Sequence, residues 1–204
     1  MTLSEFDNEV RKDYNVVCGC DEAGRGPLAG DVFAAAVIFD KDTVIEGIND
    51  SKKLTAKKRE ELFDEIMEKA VDFSIQTATV EEIEDINILN AAMLAMKRAV
   101  EDMDTKPDVC LIDGNKTPEG LGCPAIAVVK GDAKSQAVAA ASILAKVARD
   151  RYMEQMAEQY PEYRFEKHKG YGTKLHYQMI DQYGPCGIHR MSFLKKYYAK
   201  KNGH

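Results

Sequence analysis

Long apolar runs are absent from this sequence. No stretch approaches the roughly 20 hydrophobic residues that a membrane-spanning helix needs, and residues 1–13 are acidic and polar rather than basic and then apolar. No internal repeat or low-complexity linker divides the 204 residues, a length that suits one domain with a sizeable core. We therefore expect a soluble, cytoplasmic protein without a membrane span or a secretory leader.

Cysteine and histidine are present without the spacings that would give them a chemical role. The five cysteines are odd in number and include no Cys-x-x-Cys pair, and Cys18, Cys20 and Cys110 stand in apolar, strand-like stretches. A disulfide scaffold and a thiolate zinc site are both disfavoured, which fits a reducing cytosol. None of the four histidines has the spacing of a catalytic triad or a metal-binding pair.

Positive charge is scarce in most of the chain. The net charge is -6, but residues 1–129 carry 14 Lys and Arg against 27 Asp and Glu, whereas residues 130–204 carry 14 against 7. An acidic body with a basic C-terminal third permits binding to one face of a nucleic-acid duplex, because the local field rather than the global charge attracts a polyanion. Ordinary solvated charge remains the alternative interpretation.

One stretch near the N-terminus combines a buried strand with features typical of a ligand site. The apolar residues 16–20 run into Asp21 and Glu22, and the turn Gly24-Arg25-Gly26 follows. Carboxylates suit hard divalent cations, and glycines let a ligand approach bare backbone. A dinucleotide fold is disfavoured, because Pro27 and the next strand stand where its helix should begin. A solvated acidic turn remains possible.

Hydrophobic periodicity predicts an α/β protein in which strands and helices mix. The expected strands span residues 15–21, 32–39, 71–79, 108–114 and 125–129. The expected helices span residues 55–70, 80–104 as a short and then a longer helix, 131–159, 174–182 and 192–201. Alanine crowds residues 137–148, so this long helix can lie close to a sheet.

Four carboxylates stand out by position. Asp21 and Glu22 end the first strand, Asp113 ends a later strand, and Asp132 opens a helix. Strand ends and helix N-termini can gather at one edge of an α/β sheet, so these side chains can converge. Joint ligation by Asp21 and Glu22 requires the strand to turn at Glu22. Asp132 also has a structural explanation, since a carboxylate in the first turn favours the helix dipole.

A group of four carboxylates repels itself at neutral pH unless it binds cations. Octahedral Mg²⁺ or Mn²⁺ is the choice that prefers oxygen ligands. Two such ions about 4 Å apart can activate water and stabilise the departing oxygen of a phosphodiester. Our hypothesis is two-metal-ion hydrolysis that leaves 3′-hydroxyl and 5′-phosphate ends, with no side-chain nucleophile.

Seven ordered motifs closely resemble those of ribonuclease HII, the bacterial type 2 ribonuclease H. They are residues 21–30 (DEAGRGPLAG), 50–54 (DSKKL), 112–114 (IDG), 130–132 (KGD), 140–147 (AASILAKV), 168–171 (HKGY) and 188–190 (IHR). The resemblance implies a ribonuclease H-like mixed five-stranded sheet flanked by helices. It also implies a catalytic domain at residues 1–160 and a loop and helical extension at 161–204 that completes the substrate-binding face.

The resemblance further implies an endonuclease that acts on RNA–DNA hybrids and cleaves 5′ to single ribonucleotides in duplex DNA, as in ribonucleotide excision repair. Its catalytic and metal-binding residues would be the four acids above, and a monomer is expected. The implied substrate-binding residues are Gly24, Arg25, Gly26, Ser51, Lys52, Lys53, Lys146 and Tyr171. The turn backbone and Tyr171 would recognise the ribose, because the 2′-hydroxyl distinguishes RNA from DNA.

Basic side chains on the long helix are ambiguous. Lys146, Arg149 and Arg151 could follow phosphates, but Asp150 and Glu154 beside them favour ordinary surface pairing. Asp150 lies roughly five helical turns beyond Asp132 and is left out of the acid group. Two other functions stay open: a nucleic-acid-binding module without turnover, and a carboxylate-metal phosphohydrolase of small nucleotides.

Overall fold

A mixed five-stranded sheet forms the centre of the protein. The computed structural model describes residues 1–48, 54–201 and 203. The strands are β1 (Val17–Ala23), β2 (Val32–Ile38), β3 (Asp72–Ala78), β4 (Val109–Asp113) and β5 (Ala125–Val128), in the spatial order β3-β2-β1-β4-β5. β2 is antiparallel to both β1 and β3, whereas β4 is parallel to both β1 and β5. The predicted sheet is confirmed.

Helices cover both faces of this sheet. They are α1 (Leu3–Val10), α2 (Ala56–Lys69), α3 (Val80–Asp102), α4 (Gln136–Gln159), α5 (Phe165–His168), α6 (Lys174–Tyr183) and α7 (Met191–Lys201). The predicted helical C-terminal region is confirmed, while the domain boundary at residue 160 stays a prediction. Within the described part of the chain, no helix is both long enough and apolar enough to cross a membrane.

The central strands are largely apolar, apart from the acids near the carboxyl ends of β1 and β4, because both of their faces are buried. In β2, Ala35 and Val37 face the helices α2 and α4, whereas Ala34 and Ala36 face α3. Strand alternation explains this division, since successive side chains point to opposite faces. The two hydrophobic layers therefore hold β1, the neighbour of β2, in the middle of the protein.

Helix α4 lies unusually close to β1. A methyl group placed on Gly19 would come within 2.2 Å of the backbone carbonyl carbon of Ala137. The first turns of α4 carry Ala137, Ala139, Ala140 and Ala141, all fully buried. The prediction that the alanine-rich helix approaches a sheet is confirmed. Gly19 is the residue of β1 at this contact.

The first strand differs from its predicted bounds in a way that matters for the site. It begins and ends two residues later than expected, so Asp21 and Glu22 lie inside β1, opposite Ala35 and Ala34 of β2. The strand therefore does not turn at Glu22, yet both acids line one surface depression, so joint ligation does not require the turn that the sequence suggested. Pairing with β2 extends to Ala23 and keeps the strand regular through both acids.

Helix α4 begins later than predicted. Residues Gly131–Ala133 form a separate 3₁₀ turn, which follows Lys130 in the left-handed conformation at a φ of 57°. The hydroxyl of Ser135 then accepts a hydrogen bond from the amide of Val138 and caps α4. Asp132 is consequently outside the first turn of α4, and the helix-dipole explanation for it does not apply to that helix.

Helix α3 contains the predicted division into a short and a longer segment. Asn87 interrupts it with a φ of 67° and a ψ of 163°. The Asn87 side-chain oxygen accepts hydrogen bonds from the amides of Leu89 and Asn90 at 3.0 and 3.2 Å, so the asparagine caps the second segment.

Replacing Gly19 by alanine should lower the free energy of unfolding. The added methyl group meets backbone atoms of Ala137 rather than a flexible side chain, so the strand and helix must separate. We expect a loss of about 1–3 kcal/mol, as for other overpacked cores. Urea denaturation measures it, and Gly122→Ala is the control, because Gly122 has no atom within 4 Å of the added group. Equal stabilities would contradict the close approach.

Candidate active site

Three of the four predicted acids line one surface depression of about 250 Å³. Asp21 and Glu22 come from the end of β1, and Asp113 is the last residue of β4. Because β1 and β4 are parallel neighbours, their carboxyl ends meet at the same edge of the sheet. The other lining residues are Ala23, Gly24, Arg25, Gly26, Ser142, Lys146 and Tyr171.

Asp21 lies at the bottom of this depression and is 6% exposed. Its carboxylate accepts a hydrogen bond from the amide of Glu22 at 2.7 Å and another from the hydroxyl of Ser142. Burial raises the pKa of Asp21 well above its usual value, and the charges of Glu22 and Asp113 raise it further. The hydrogen bonds within the site therefore do not fully offset the cost of ionising Asp21 there.

Asp113 connects the end of β4 to the turn before α4. Its carboxylate accepts a hydrogen bond of 2.6 Å from the amide of Gly131. Asp132 is the next residue in that turn and is buried, but it is not among the residues that line the depression. Its role as a fourth acid thus stays a prediction, supported by its position one residue from the Asp113 contact.

Glu22 and Arg25 form an ion pair at the rim of the depression. Glu22 Oε1 lies 3.1 Å from Arg25 Nη1, and the side chains are 13% and 52% exposed. A surface pair of this kind is weak and can be exchanged for other partners. Arg25 therefore lies where it can move between an acid of the site and a bound anion.

The Gly-Arg-Gly turn (Gly24, Arg25 and Gly26) faces Tyr171 across the depression. Gly24 has a φ of 103°, and a methyl group on it would come within 2.1 Å of Nε of Arg149. A methyl group on Gly26 would lie 3.7 Å from the ring of Tyr171, which is 44% exposed. The structure thus brings together the turn and the tyrosine that the sequence assigned to substrate binding.

Only one of the three ambiguous bases of α4 reaches the depression. Lys146 lines it and forms an ion pair with Asp150, and burial lowers the lysine pKa. Arg149 is 1% exposed and donates to backbone carbonyls, whereas Arg151 pairs with Glu60. The suggestion that Arg149 follows phosphates is therefore wrong, because it points into the protein.

Two features of the site bear on the remaining sequence predictions. Ser51, Lys52 and Lys53 lie outside the described residues. Ser142 was not predicted as a site residue, yet its hydroxyl contacts Asp21. Its signal in the sequence is a single hydroxyl on the otherwise apolar, alanine-rich face of α4.

The donor set fits a hard divalent cation. Asp21, Glu22 and Asp113 offer only carboxylate oxygens, which Mg²⁺ and Mn²⁺ prefer, and a bound cation would offset the burial and neighbouring charges that raise the pKa of Asp21. Across residues 1–48, 54–201 and 203, no three His, Cys, Asp or Glu side chains form a ready-made ion-binding group. Glu22 contacts Arg25 through Oε1, so a cation and Arg25 would compete for this carboxylate.

The fold matches a solved structure of a ribonuclease. The crystal structure of ribonuclease H2 from Pyrococcus horikoshii superposes with a TM-score of 0.76 at 29% identity, covering 93% of this chain and 100% of that one. The fold and the acidic strand ends thus define a ribonuclease H-like protein.

Sequence comparison identifies the family. The ribonuclease HII family profile matches residues 18–196. A ribonuclease HII of Caldicellulosiruptor saccharolyticus is 55% identical over 93% of this chain and 92% of its own length. Another, from Idiomarina loihiensis, is 58% identical over 87% of this chain and 95% of its own length. The chain belongs to the ribonuclease HII family, whose members are hydrolases that act as endoribonucleases on RNA in RNA–DNA hybrids.

Arg149 and Arg151 should respond differently to removal of their side chains. Arg149→Ala leaves buried carbonyls without donors, at a cost of about 1–3 kcal/mol for each, so we expect a loss of at least about 3 kcal/mol. Arg151→Ala removes an exposed ion pair and should cost less than about 1 kcal/mol. Chemical denaturation of both variants gives the comparison, and similar losses would contradict the structural role of Arg149.

Proposed function

We propose that this chain hydrolyses the RNA strand of RNA–DNA hybrids and also cleaves 5′ to single ribonucleotides in duplex DNA, leaving 3′-hydroxyl and 5′-phosphate ends. The observation that carries the proposal is the shared depression. It is lined by three carboxylates, by the Gly-Arg-Gly turn and by Tyr171, so groups suited to phosphodiester hydrolysis and to ribose recognition meet in one place. Family membership supports the nuclease class.

In this proposal the acids hold two divalent ions, Mg²⁺ or Mn²⁺. Asp21, Glu22 and Asp113 are the ligands from the depression, and Asp132 is a further ligand from the adjoining turn. A pair of such ions, when bound, supplies an activated water and stabilises the departing oxygen. The chain fixes the ligands beforehand, since Ser142 orients Asp21 and the amide of Gly131 orients Asp113.

Arg25 links occupation of the acids to substrate binding. Its guanidinium is the counterion of Glu22 in the structure. When Glu22 turns to a cation, Arg25 loses that partner and becomes available to a phosphate oxygen of the substrate. Lys146 lies in the same depression and adds a second cation toward the phosphate backbone.

Ribose recognition is assigned to the gap between Gly26 and Tyr171. Gly26 has no side chain on the side that faces the tyrosine ring, so a sugar can approach the backbone of the turn closely. The exposed ring of Tyr171 forms the opposite wall. We propose that the protein acts on its duplex substrates as a monomer, since a single copy of the chain supplies the three acids, the Gly-Arg-Gly turn and Tyr171.

The first test uses a labelled DNA duplex that contains one ribonucleotide, with Mg²⁺ or Mn²⁺, beside an all-DNA duplex. We expect cleavage 5′ to the ribonucleotide that a chelator abolishes. Asp21→Asn and Asp113→Asn should each reduce the rate at least about 100-fold, because they remove ligand charge without changing shape. Asp64→Asn, an exposed acid on α2, is the matched control, and circular dichroism checks folding.

Other outcomes of this assay would favour other functions. Binding without cleavage under either ion would indicate a nucleic-acid-binding module. Hydrolysis of free nucleotides but not of the duplex would indicate a small-molecule phosphohydrolase.

Gly26→Ala should fold normally but cleave single ribonucleotides poorly. The added methyl group makes an ordinary 3.7 Å contact with the Tyr171 ring, yet it occupies the gap assigned to the sugar. We expect at least about a tenfold loss of kcat/KM, equivalent to about 1.4 kcal/mol. Gly122→Ala, which adds the same methyl group at an open surface site, serves as the control. Wild-type cleavage by Gly26→Ala would show that the gap is not used.

A further inference from the structure

Two consecutive residues, His189 and Arg190, lie buried behind the depression, and no step of the proposed reaction uses them. Their backbone runs alongside the chain that follows the Gly-Arg-Gly turn. The amide of Gly30 donates to the carbonyl of Ile188, and the amide of Arg190 donates to the carbonyl of Leu28, both at 2.8 Å. This C-terminal segment is therefore attached to the turn from behind.

The guanidinium of Arg190 is fully occupied by backbone carbonyls. Its Nε donates to Gly30 at 2.9 Å, Nη1 donates to Arg25 and Pro27, and Nη2 donates to Gly24 and Gly30. These five hydrogen bonds match the five N–H groups of a guanidinium. Arg190 thus holds the carbonyl oxygens of Gly24 and Arg25 in the turn, and of Pro27 and Gly30 after it.

This arrangement determines where the turn's amides point. In a trans peptide the carbonyl of one residue and the amide of the next point in opposite directions. Since Arg190 binds the carbonyls of Gly24 and Arg25, the amides of Arg25 and Gly26 point away from Arg190. Among the residues that the structure describes, none accepts a hydrogen bond from either amide. Arg25 and Gly26 both line the depression, where two free donors can meet a ligand oxygen.

A second buried arginine also binds backbone carbonyls behind the turn. Arg149 donates to the carbonyls of Ala29, Asp31 and Lys169 at 3.0 to 3.1 Å. Asp31 lies near both guanidiniums and Asp150 lies near Arg149, but the hydrogen bonds of both arginines go to backbone carbonyls rather than to these carboxylates. Amides that point away from buried positive charge favour the binding of an electron-rich oxygen atom in the depression.

Hydrogen bonds through His176 connect His189 to Tyr171, on the side of the depression opposite the turn. The amide of Cys186 donates to His189 Nδ1 at 2.8 Å, so the proton of His189 is assigned to Nε2. This Nε2 donates to His176 Nε2 at 3.0 Å, which assigns the proton of His176 to Nδ1. That Nδ1 donates to the carbonyl of Tyr171 at 2.9 Å. Two neutral imidazoles therefore fix the backbone of the tyrosine that faces the turn.

Burial accounts for the neutral state of this histidine pair. It lowers the pKa of both His176 and His189 to about 4, and the nearby His168 lowers both further. The two walls are also joined directly, since the amide of Leu28 donates to the carbonyl of Gly170 at 2.8 Å. Residues 188–190 and the hydrogen bond between Leu28 and Gly170 thus together hold Tyr171 opposite the turn.

We propose that Arg190 and His189 are positioning residues for ribonucleotide recognition. Arg190 presents the amides of Arg25 and Gly26 to the 2′-hydroxyl oxygen, and His189 acts through His176 to hold Tyr171 at the matching distance. The inference rests on the proposed function and adds the residues that give the site its preference for ribose over deoxyribose.

The test measures equilibrium binding, so that it does not depend on cleavage. All proteins carry Asp113→Asn, and their Kd values are compared for a duplex with one ribonucleotide and for the all-DNA duplex. Arg190→Lys keeps the charge but cannot span the carbonyls, because an ammonium is a single point of donation. We expect it to reduce the ribose preference at least about tenfold and to shift the amide NMR resonances of Arg25 and Gly26.

A second variant and a control separate positioning from general stability. His176→Phe keeps a ring in the same cavity and removes the donor to Tyr171, and it carries the test if Arg190→Lys does not fold. It should reduce the ribose preference and shift the Tyr171 amide resonance. Leu62→Ala is destabilised by a buried cavity between α2 and α4 and should change neither the preference nor these resonances.

The outcomes distinguish failure of this inference from failure of the proposed function. If the parent protein prefers ribose but folded Arg190→Lys or His176→Phe keeps the full preference, the positioning roles are wrong. A preference lost equally in Leu62→Ala would likewise reduce these residues to a general structural role and overturn the inference. If the parent shows neither ribose preference nor, with Asp113 restored, cleavage, the proposed function itself fails.

Discussion

Mutual repulsion among carboxylates is the constraint around which this structure is built. Asp21 and Asp113 lie near the carboxyl ends of neighbouring parallel strands, and the sheet holds them together although burial and the charges of Glu22 and Asp113 raise the pKa of Asp21. The fold meets this cost locally, through the hydroxyl of Ser142 and the amide of Gly131. The remaining negative charge favours the binding of cations in the depression. The fold therefore has a lower folding stability at the position where a ligand binds.

The glycine-rich turn, a few residues beyond Asp21 and Glu22, has buried positive charge behind it. Behind the glycine-rich turn, Arg149 and Arg190 are buried and bind backbone carbonyls in place of carboxylate partners. The acids of the depression therefore lie next to a turn that has two buried arginines behind it. A phosphodiester flanked by a ribose has the complementary pattern, since its phosphate attracts cations and its sugar presents a hydroxyl group.

The sequence predicts the sheet, the principal helices and the convergence of three acids, because hydrophobic periodicity and acids at strand ends are local signals. It does not predict which side of the turn is buried. Arg190 and its partner Gly24 are 166 residues apart, and no periodic pattern connects them. The same holds for Arg149, whose position beside charged neighbours is typical of a surface residue. Contacts between a side chain and a distant backbone leave no trace in spacing, so the structure was needed to find them.

The long separation between the turn and Arg190 has a consequence for biosynthesis. The ribosome makes the chain from its N-terminus, so the acids of β1 and β4 are made well before His189 and Arg190. Until these last residues join, the turn lacks the donors that orient it and Tyr171 lacks its support. A partly made chain thus carries its carboxylates before it can select a sugar, and selectivity arrives only with residues 189 and 190, just ahead of α7.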